Sequence, residues 1–258
     1  MTLPRLMIAP NGATRTKADH PALPVTIAEI IAATIACVGA GADGLHAHVR
    51  DAAGRHVLDA GLYSEFLAEM RVRLPGLYVQ ITTEAVGRYT PAEQRAVVAA
   101  VQPGAVSVAL REMMAGDEKA ARDFYHDCAA ADIEVQHILY DSAEVDRLAG
   151  LVGRGVIPGG RLAILHVLGR YASGQISTLD DINAPLARQS VLGPAVDWAV
   201  CAFGPAETAI LAEVLRRGGK ARIGFENNLL QPDGQPAQDN AARVATLNAM
   251  VEARLPLN

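Results

Sequence analysis

The sequence predicts an α/β fold of the TIM-barrel type, (β/α)8, formed as one domain over residues 1–258. Three observations carry the prediction. Eight short apolar or β-branched runs recur along the chain. Helix-patterned amphipathic segments lie between them. Eight strand–helix units in 258 residues is the count such a barrel needs. The runner-up is a doubly wound open sheet. It would place GxGxxG after its first strand, where this chain reads APNGATR.

The elements follow in order. Strand LMIA (6–9) is followed by TIAEIIAATIACVGAGA, in which Thr26 and Glu29 form a capping box and glycines end the helix. Strand GLHAHV (44–49) precedes LYSEFLAEMRVRL (62–74), a helix stopped by Pro75. Strand YVQIT (78–82) leads to TPAEQRAVVAAV, with Thr90 as cap, Pro91 in the first turn and Glu93 at the third position. The remaining strands are AVSVAL (105–110), IEVQHILY (133–140), RLAILHVL (161–168), AVDWAVCAF (195–203) and ARIGFE (221–226). Helices are expected at 118–131, 142–153, 178–189, 205–217 and 238–254.

Composition narrows the function. The net charge is −5 and no basic block occurs, so a nucleic-acid partner is not expected. No run of about 18 apolar residues exists to span a membrane. The start, MTLPRLMIAPNGATR, lacks the long apolar core of a signal peptide. Cys37, Cys128 and Cys201 are far apart with no CxxC, which argues against a disulfide scaffold and for a cytoplasmic location.

The stretch GLHAHVRD sets two imidazoles, His46 and His48, on one face of a strand, with Arg50 next on that face. One reading is two histidines satisfied by backbone carbonyls; the other is a metal site at a strand end. In a barrel, chemistry sits at the C-terminal ends of strands. Strand 8 ends GFENN, placing Glu226 at its tip, and strands 2 and 8 both flank strand 1. Two histidines and a glutamate with an open fourth position form a catalytic zinc arrangement, whereas Glu226 alone could be a helix N-terminal acid or a salt-bridge partner. Arg222, four residues earlier, shares the strand face of Glu226. Two arginines, Arg50 and Arg222, beside a metal suit a carboxylate substrate; the alternative pairs Arg50 with Asp51 or Asp59. Thr82, Thr83, Ser107 and Asn11, at strand ends and in strand 4, are further candidates for substrate contact, although Thr and Ser there also cap helices. Among the other histidines, His20 is a candidate for the mouth, His56 is structural, His126 sits on a solvated helix face, and His137 and His166 are core, as is Trp198.

The stretches APNGATRTKADHPALP, AGADGLHAHVRDAAGRHVLD, VQITTEAVGRYTPAEQR and ARIGFENN followed by DNAARV resemble the β-keto acid cleavage enzymes, the 3-keto-5-aminohexanoate cleavage family. The resemblance implies a zinc-bound barrel, a homo-oligomer (dimer or tetramer), and condensation of a β-keto acid with acetyl-CoA to give acetoacetate and a new acyl-CoA. It implies that His46, His48 and Glu226 bind Zn²⁺. It also implies that Arg222 belongs to an arginine–aspartate dyad that activates the substrate, and that Thr82, with Ser107, contacts it.

The sequence departs from the pattern. Asn227 stands where the family has aspartate, and an amide cannot accept a proton as a carboxylate does. The strand-3 loop reads TTEAVG, with Glu84 where glycines usually continue, and strand 5 carries VQHILYD where an acid is common. Either Glu84 or Glu112 supplies the lost carboxylate, or the chain runs another zinc-dependent aldolase or hydrolase reaction on a carboxylate substrate. A third alternative is a non-catalytic carboxylate-binding relative that kept the metal.

Overall fold

The computed structural model describes residues 2–253. Eight parallel strands close into a barrel in chain order. They are β1 (Leu6–Ile8), β2 (Gly44–Ala47), β3 (Tyr78–Thr82), β4 (Ala105–Ala109), β5 (Glu134–Leu139), β6 (Leu162–Leu168), β7 (Val196–Ala202) and β8 (Lys220–Ile223). The helices are α1 (Ile27–Gly39), α2 (Ala60–Arg73), α3 (Pro91–Val101), α4 (Leu110–Met113), α5 (Glu118–Ala130), α6 (Ser142–Gly153), α7 (Asn183–Arg188), α8 (Glu207–Arg216) and α9 (Asn240–Glu252). Both capping boxes form: Thr26 Oγ1 accepts from the Glu29 amide and Thr90 Oγ1 from the Glu93 amide, each glutamate reaching back.

The core has two layers because strand residues alternate faces. Outward residues such as Leu45, Ile81, Val106 and Ile164 pack under the helices. Inward residues, among them Ala109, Ile138, Leu165, Val167 and Cys201, fill the barrel, and Leu3 closes its amino-terminal end. There the Leu3 amide donates to Asp197, whose carboxylate also takes Lys220 at 2.5 Å. Both layers bury apolar area, the main favourable contribution to folding.

Four expectations are corrected. Residues 178–189 do not form one helix: 3₁₀ turns at Leu179–Ile182 and Gln189–Leu192 flank the short α7. Pro185 has no N–H to bond the carbonyl of Asp181, so the α-helical ladder does not run on from the Leu179–Ile182 turn and Pro185 instead sits in the first turn of α7. Strand 4 stops at Ala109, and Leu110 instead opens α4, where Leu110 and Met113, three apart, bury one face. Helix α2 begins two residues early, at Ala60, because the Asp59 side chain accepts from the Leu62 amide. Strand β8 ends at Ile223, so Glu226 lies in the turn beyond it. The predicted end of the last helix, Arg254, lies outside the described residues.

Candidate metal centre

Register brings the predicted ligands together. Strand β1 pairs with β2 on one side and β8 on the other. After β8, Gly224 turns the chain back across the end of β1, where the Glu226 amide donates to the Ala9 carbonyl at 3.1 Å. Gly224 has φ +148°, and a Cβ there would lie 2.2 Å from the Ala9 oxygen, so glycine is required. At Gly12, with φ +60°, a Cβ would lie 2.6 Å from the Glu226 Cγ. Arg222 and Glu226 do face one another, but through this turn and not through strand parity.

His46 Nε2 lies 3.2 Å from His48 Nε2, and Glu226 Oε2 is 3.6 Å from the first and 3.5 Å from the second. Donors about 2.0–2.2 Å from a tetrahedral zinc ion stand about 3.3–3.5 Å apart. The triangle therefore has the dimensions of one face of such a site. Its chemistry agrees. Glu226 Oε2 is buried without a hydrogen-bond partner.

The hydrogen bonds also select the tautomers. Gln136 Nε2 donates to the Ile164 carbonyl, Gln80 Nε2 donates to Gln136 Oε1 at 3.1 Å, and Gln80 Oε1 must then accept from His46 Nδ1–H at 2.9 Å. On the other side, His56 Nε2–H donates to the Glu84 carbonyl at 3.0 Å, so its Nδ1 accepts from His48 Nδ1–H at 3.4 Å. Both Nε2 lone pairs are thus turned toward each other and toward a carboxylate oxygen, an arrangement that repels itself unless a cation intervenes. Burial, with Arg222 nearby, pushes His46 well below the usual imidazole range and keeps it neutral. Burial alone would push the Glu226 carboxyl up; the Arg222 guanidinium outweighs it and holds the group well below the usual carboxylate range. The three residues fit a divalent metal.

Replacing Gln80 with leucine leaves the His46 Nδ1–H without an acceptor. We expect divalent-metal affinity to fall about 10- to 100-fold, measured by competition with a chelator, with the fold retained by circular dichroism. Unchanged affinity would dismiss the glutamine relay.

The other candidates divide into two groups. Thr82, Glu84 and Arg222 line a cavity with His46 and Glu226. Arg222 Nη2 donates to Glu226 Oε1 at 3.1 Å, while its buried Nε and Nη1 have no protein partner and are available to an anion. Ser107 pairs in register with Thr82, and its Oγ is buried without a partner. Asn227 is buried with both amide atoms unpartnered.

Three residues act on backbone. Arg50 pairs with neither Asp51 nor Asp59: its guanidinium donates to the carbonyls of Gly12, Arg15 and Gly54, clamping the loop after β1 onto the loop after β2. Asn11 Nδ2 donates to the His48 carbonyl at 2.9 Å and its Oδ1 accepts from the His48 amide, so it positions a ligand. Thr83 Oγ1 donates to the Ser107 carbonyl at 3.0 Å. Glu112 Oε2 accepts from Gln94 and the Ala85 amide, and Glu112 does not line the cavity that Glu84 lines. His20 packs at a tilt against Phe225 and bonds the Ala237 carbonyl instead of lining the cavity. Sequence reading missed Gln80, Gln136 and Arg170. A glutamine inside a buried strand, in phase with the site residues, was the available signal for the first two.

The beta-keto acid cleavage enzyme family profile matches residues 5–254. The chain is 26% identical over 268 residues to the 3-oxoadipate:acetyl-CoA acetyltransferase of Cupriavidus necator, covering 98% of this chain and 90% of that one. It is 25% identical over 239 residues to the 3-keto-5-aminohexanoate cleavage enzyme of Fusobacterium nucleatum subsp. nucleatum, covering 90% and 85%. Among solved structures, the ternary complex of ObcA with a C4-CoA adduct and oxalate superposes with a TM-score of 0.73 at 16% identity, over 91% of this chain and 64% of that chain, a likeness of fold.

Proposed function

The chain belongs to the beta-keto acid cleavage enzyme family, and from that premise we propose that it is a zinc-dependent acyltransferase using acetyl-CoA. In this reaction the C2–C3 bond of a β-keto acid breaks, C2 joins the acetyl carbonyl carbon, and the C3 acyl group passes to the CoA sulfur. The products are acetoacetate and a new acyl-CoA. The relatives' names support the reading: each describes the cleavage or transfer of a β-keto acid, and one names acetyl-CoA. The observation that carries it in this chain is the His46, His48 and Glu226 triangle beside a buried arginine with two free N–H groups.

His46, His48 and Glu226 would hold the metal, and their mixed nitrogen and oxygen donor set suits zinc. When bound, the metal supplies Lewis-acid polarisation of the ketone. Arg222 receives the substrate carboxylate on an N–H that Glu226 leaves free and offsets the charge that develops as the C–C bond breaks. Thr82 and Ser107 are the substrate-facing hydroxyls. Glu84 Oε2 lies 3.9 Å from His48 Nδ1, and we assign it the proton transfer that Asn227 cannot perform. The protein acts as one barrel domain over residues 1–258, assembled as a dimer or tetramer. A cytoplasmic setting fits three buried free cysteines, and among the described residues no helix is long and apolar enough to cross a membrane.

Zinc-loaded protein incubated with β-keto acids and acetyl-CoA should form acetoacetate and acyl-CoA in equal amounts. Tight keto-acid binding without turnover would identify a carboxylate binder instead. Glu84→Gln should lower kcat about 100-fold with metal content unchanged. Undiminished turnover removes Glu84 from the mechanism.

A further inference from the structure

The active-site cavity ends in an arginine that no ligand or dyad role accounts for. Its deep end holds His46 and Arg222, both within strands. Its walls are apolar, from Ala109, Ile138, Val167 and Phe203. Its mouth carries Glu84, Tyr140 and Arg170, which all lie just beyond strand ends. Arg170 Nη2 meets Glu84 Oε1 at 3.2 Å, and its guanidinium lies over the Phe203 ring, 5.3 Å from the centroid. The cation thus lies against the apolar wall of the cavity that Arg222 also lines.

We propose, resting on the cleavage reading above, that the preferred substrates are β-keto acids with a second carboxylate at the far end, and that Arg170 is the residue that selects them. The layout matches such a molecule: a charged inner end, a short apolar middle and a cationic outer end. Charge accounting favours an anionic tail over a cationic one. Four guanidiniums, of Arg15, Arg50, Arg170 and Arg222, surround this end of the barrel. Arg15 and Arg50 donate to backbone carbonyls, and Glu226 and Glu84 are the carboxylates paired with the other two. Of the further acids, Glu207 is taken by Arg243, Glu144 by Arg111, and Glu112 accepts from Gln94 and the Ala85 amide, so the four guanidiniums still outnumber Glu226, Glu84 and Glu112. The field is positive before any metal binds. An ammonium tail would have to sit on Glu84, beside Arg170 and close to the metal ligands. A carboxylate tail takes the fork of Arg170 in place of Glu84. Glu84 is then released toward His48, which its second oxygen already approaches. The planar guanidinium suits this exchange better than an ammonium would, because both partners are carboxylates that can be held by two parallel bonds.

The test compares two six-carbon substrates on the zinc-loaded full chain with acetyl-CoA: 3-oxoadipate, with a carboxylate tail, and 3-oxohexanoate, with a methyl tail. The wild type should favour the dicarboxylate in kcat/KM by about 10- to 100-fold. Arg170→Met should bring that ratio close to one, mainly through KM, and Arg170→Lys should leave it intermediate. A wild-type ratio near one, or a ratio unmoved by Arg170→Met, overturns the proposal. Calorimetric titration with adipate and hexanoate separates this inference from the reading it rests on. If adipate binds more tightly than hexanoate to the wild type but not to Arg170→Met, while no keto acid is cleaved, the tail site stands and the cleavage reading falls. Equal binding of the two acids to the wild type overturns the tail site whatever the turnover.

Discussion

His48→Ala should abolish stoichiometric zinc binding and reduce turnover by roughly a thousandfold or more, beyond the 10- to 100-fold typical of a lost outer-shell partner. The substitution removes one of the three donor atoms that lie within 3.6 Å of one another. Two donors on one side cannot fix a four-coordinate ion whose last position must stay open to substrate. It also leaves the His56 Nδ1 lone pair without its donor. The measurement is metal content after gel filtration, with cobalt substitution as a second readout. Tetrahedral Co²⁺ absorption should be present in the wild type and absent in the variant. The Asn11→Ala protein is a useful companion, because Asn11 holds the His48 backbone and contributes no donor. Its metal affinity should fall less than that of His48→Ala. Full zinc occupancy in His48→Ala would remove His48 from the ligand set.

Arg222→Met should have the second largest effect, on stability as well as rate. Arg222 and Glu226 form a buried pair at 3.1 Å, with side chains 4% and 11% exposed. Removing one partner of such a pair leaves an uncompensated charge and costs about 3–5 kcal/mol. The metal-free variant should therefore unfold at markedly lower denaturant concentration than the metal-free wild type. Zinc should recover part of that loss, because the ion supplies Glu226 with another positive partner. Turnover should not return with zinc, since Arg222 is the residue assigned to the substrate carboxylate. A deficit of about 100- to 1,000-fold in kcat/KM is expected even at saturating zinc. Equal stability of the two metal-free proteins would show that the pair contributes nothing to folding. Wild-type rates in the zinc-loaded variant would remove Arg222 from catalysis.

Much of the architecture was legible because it rests on local pattern. Strand and helix periods, capping boxes at Thr26 and Thr90, and stops at Pro75 and Gly39 depend on neighbours within a few residues. The failures lay where a local signal was overridden or absent. Pro185, in the first turn of α7, cannot bond back to Asp181, so α7 is separated from the turn before it in a segment whose apolar spacing reads as one helix. Glu226 was placed at a strand tip, although Gly224 had already ended the strand. Arg50, from strand face alone, is a candidate for substrate contact or for pairing with Asp51 or Asp59. Its partners are carbonyls of a loop some 35 residues away in sequence, and no periodicity encodes them.

By itself, then, the chain's pattern determined an eightfold barrel and nominated His46, His48, Glu226 and Arg222 for its carboxy-terminal rim. Those assignments follow from period, from parity and from the rule that adjacent strands carry residues to a common mouth. Only the tertiary structure decided which polar groups meet. It joined Gln136, Gln80 and His46 across three strands, turned both imidazoles to present Nε2, and set Arg170 against Glu84. A hydrogen bond or ion pair depends on a few tenths of an ångström between groups distant along the chain. Closure of the barrel sets those distances, and sequence spacing does not.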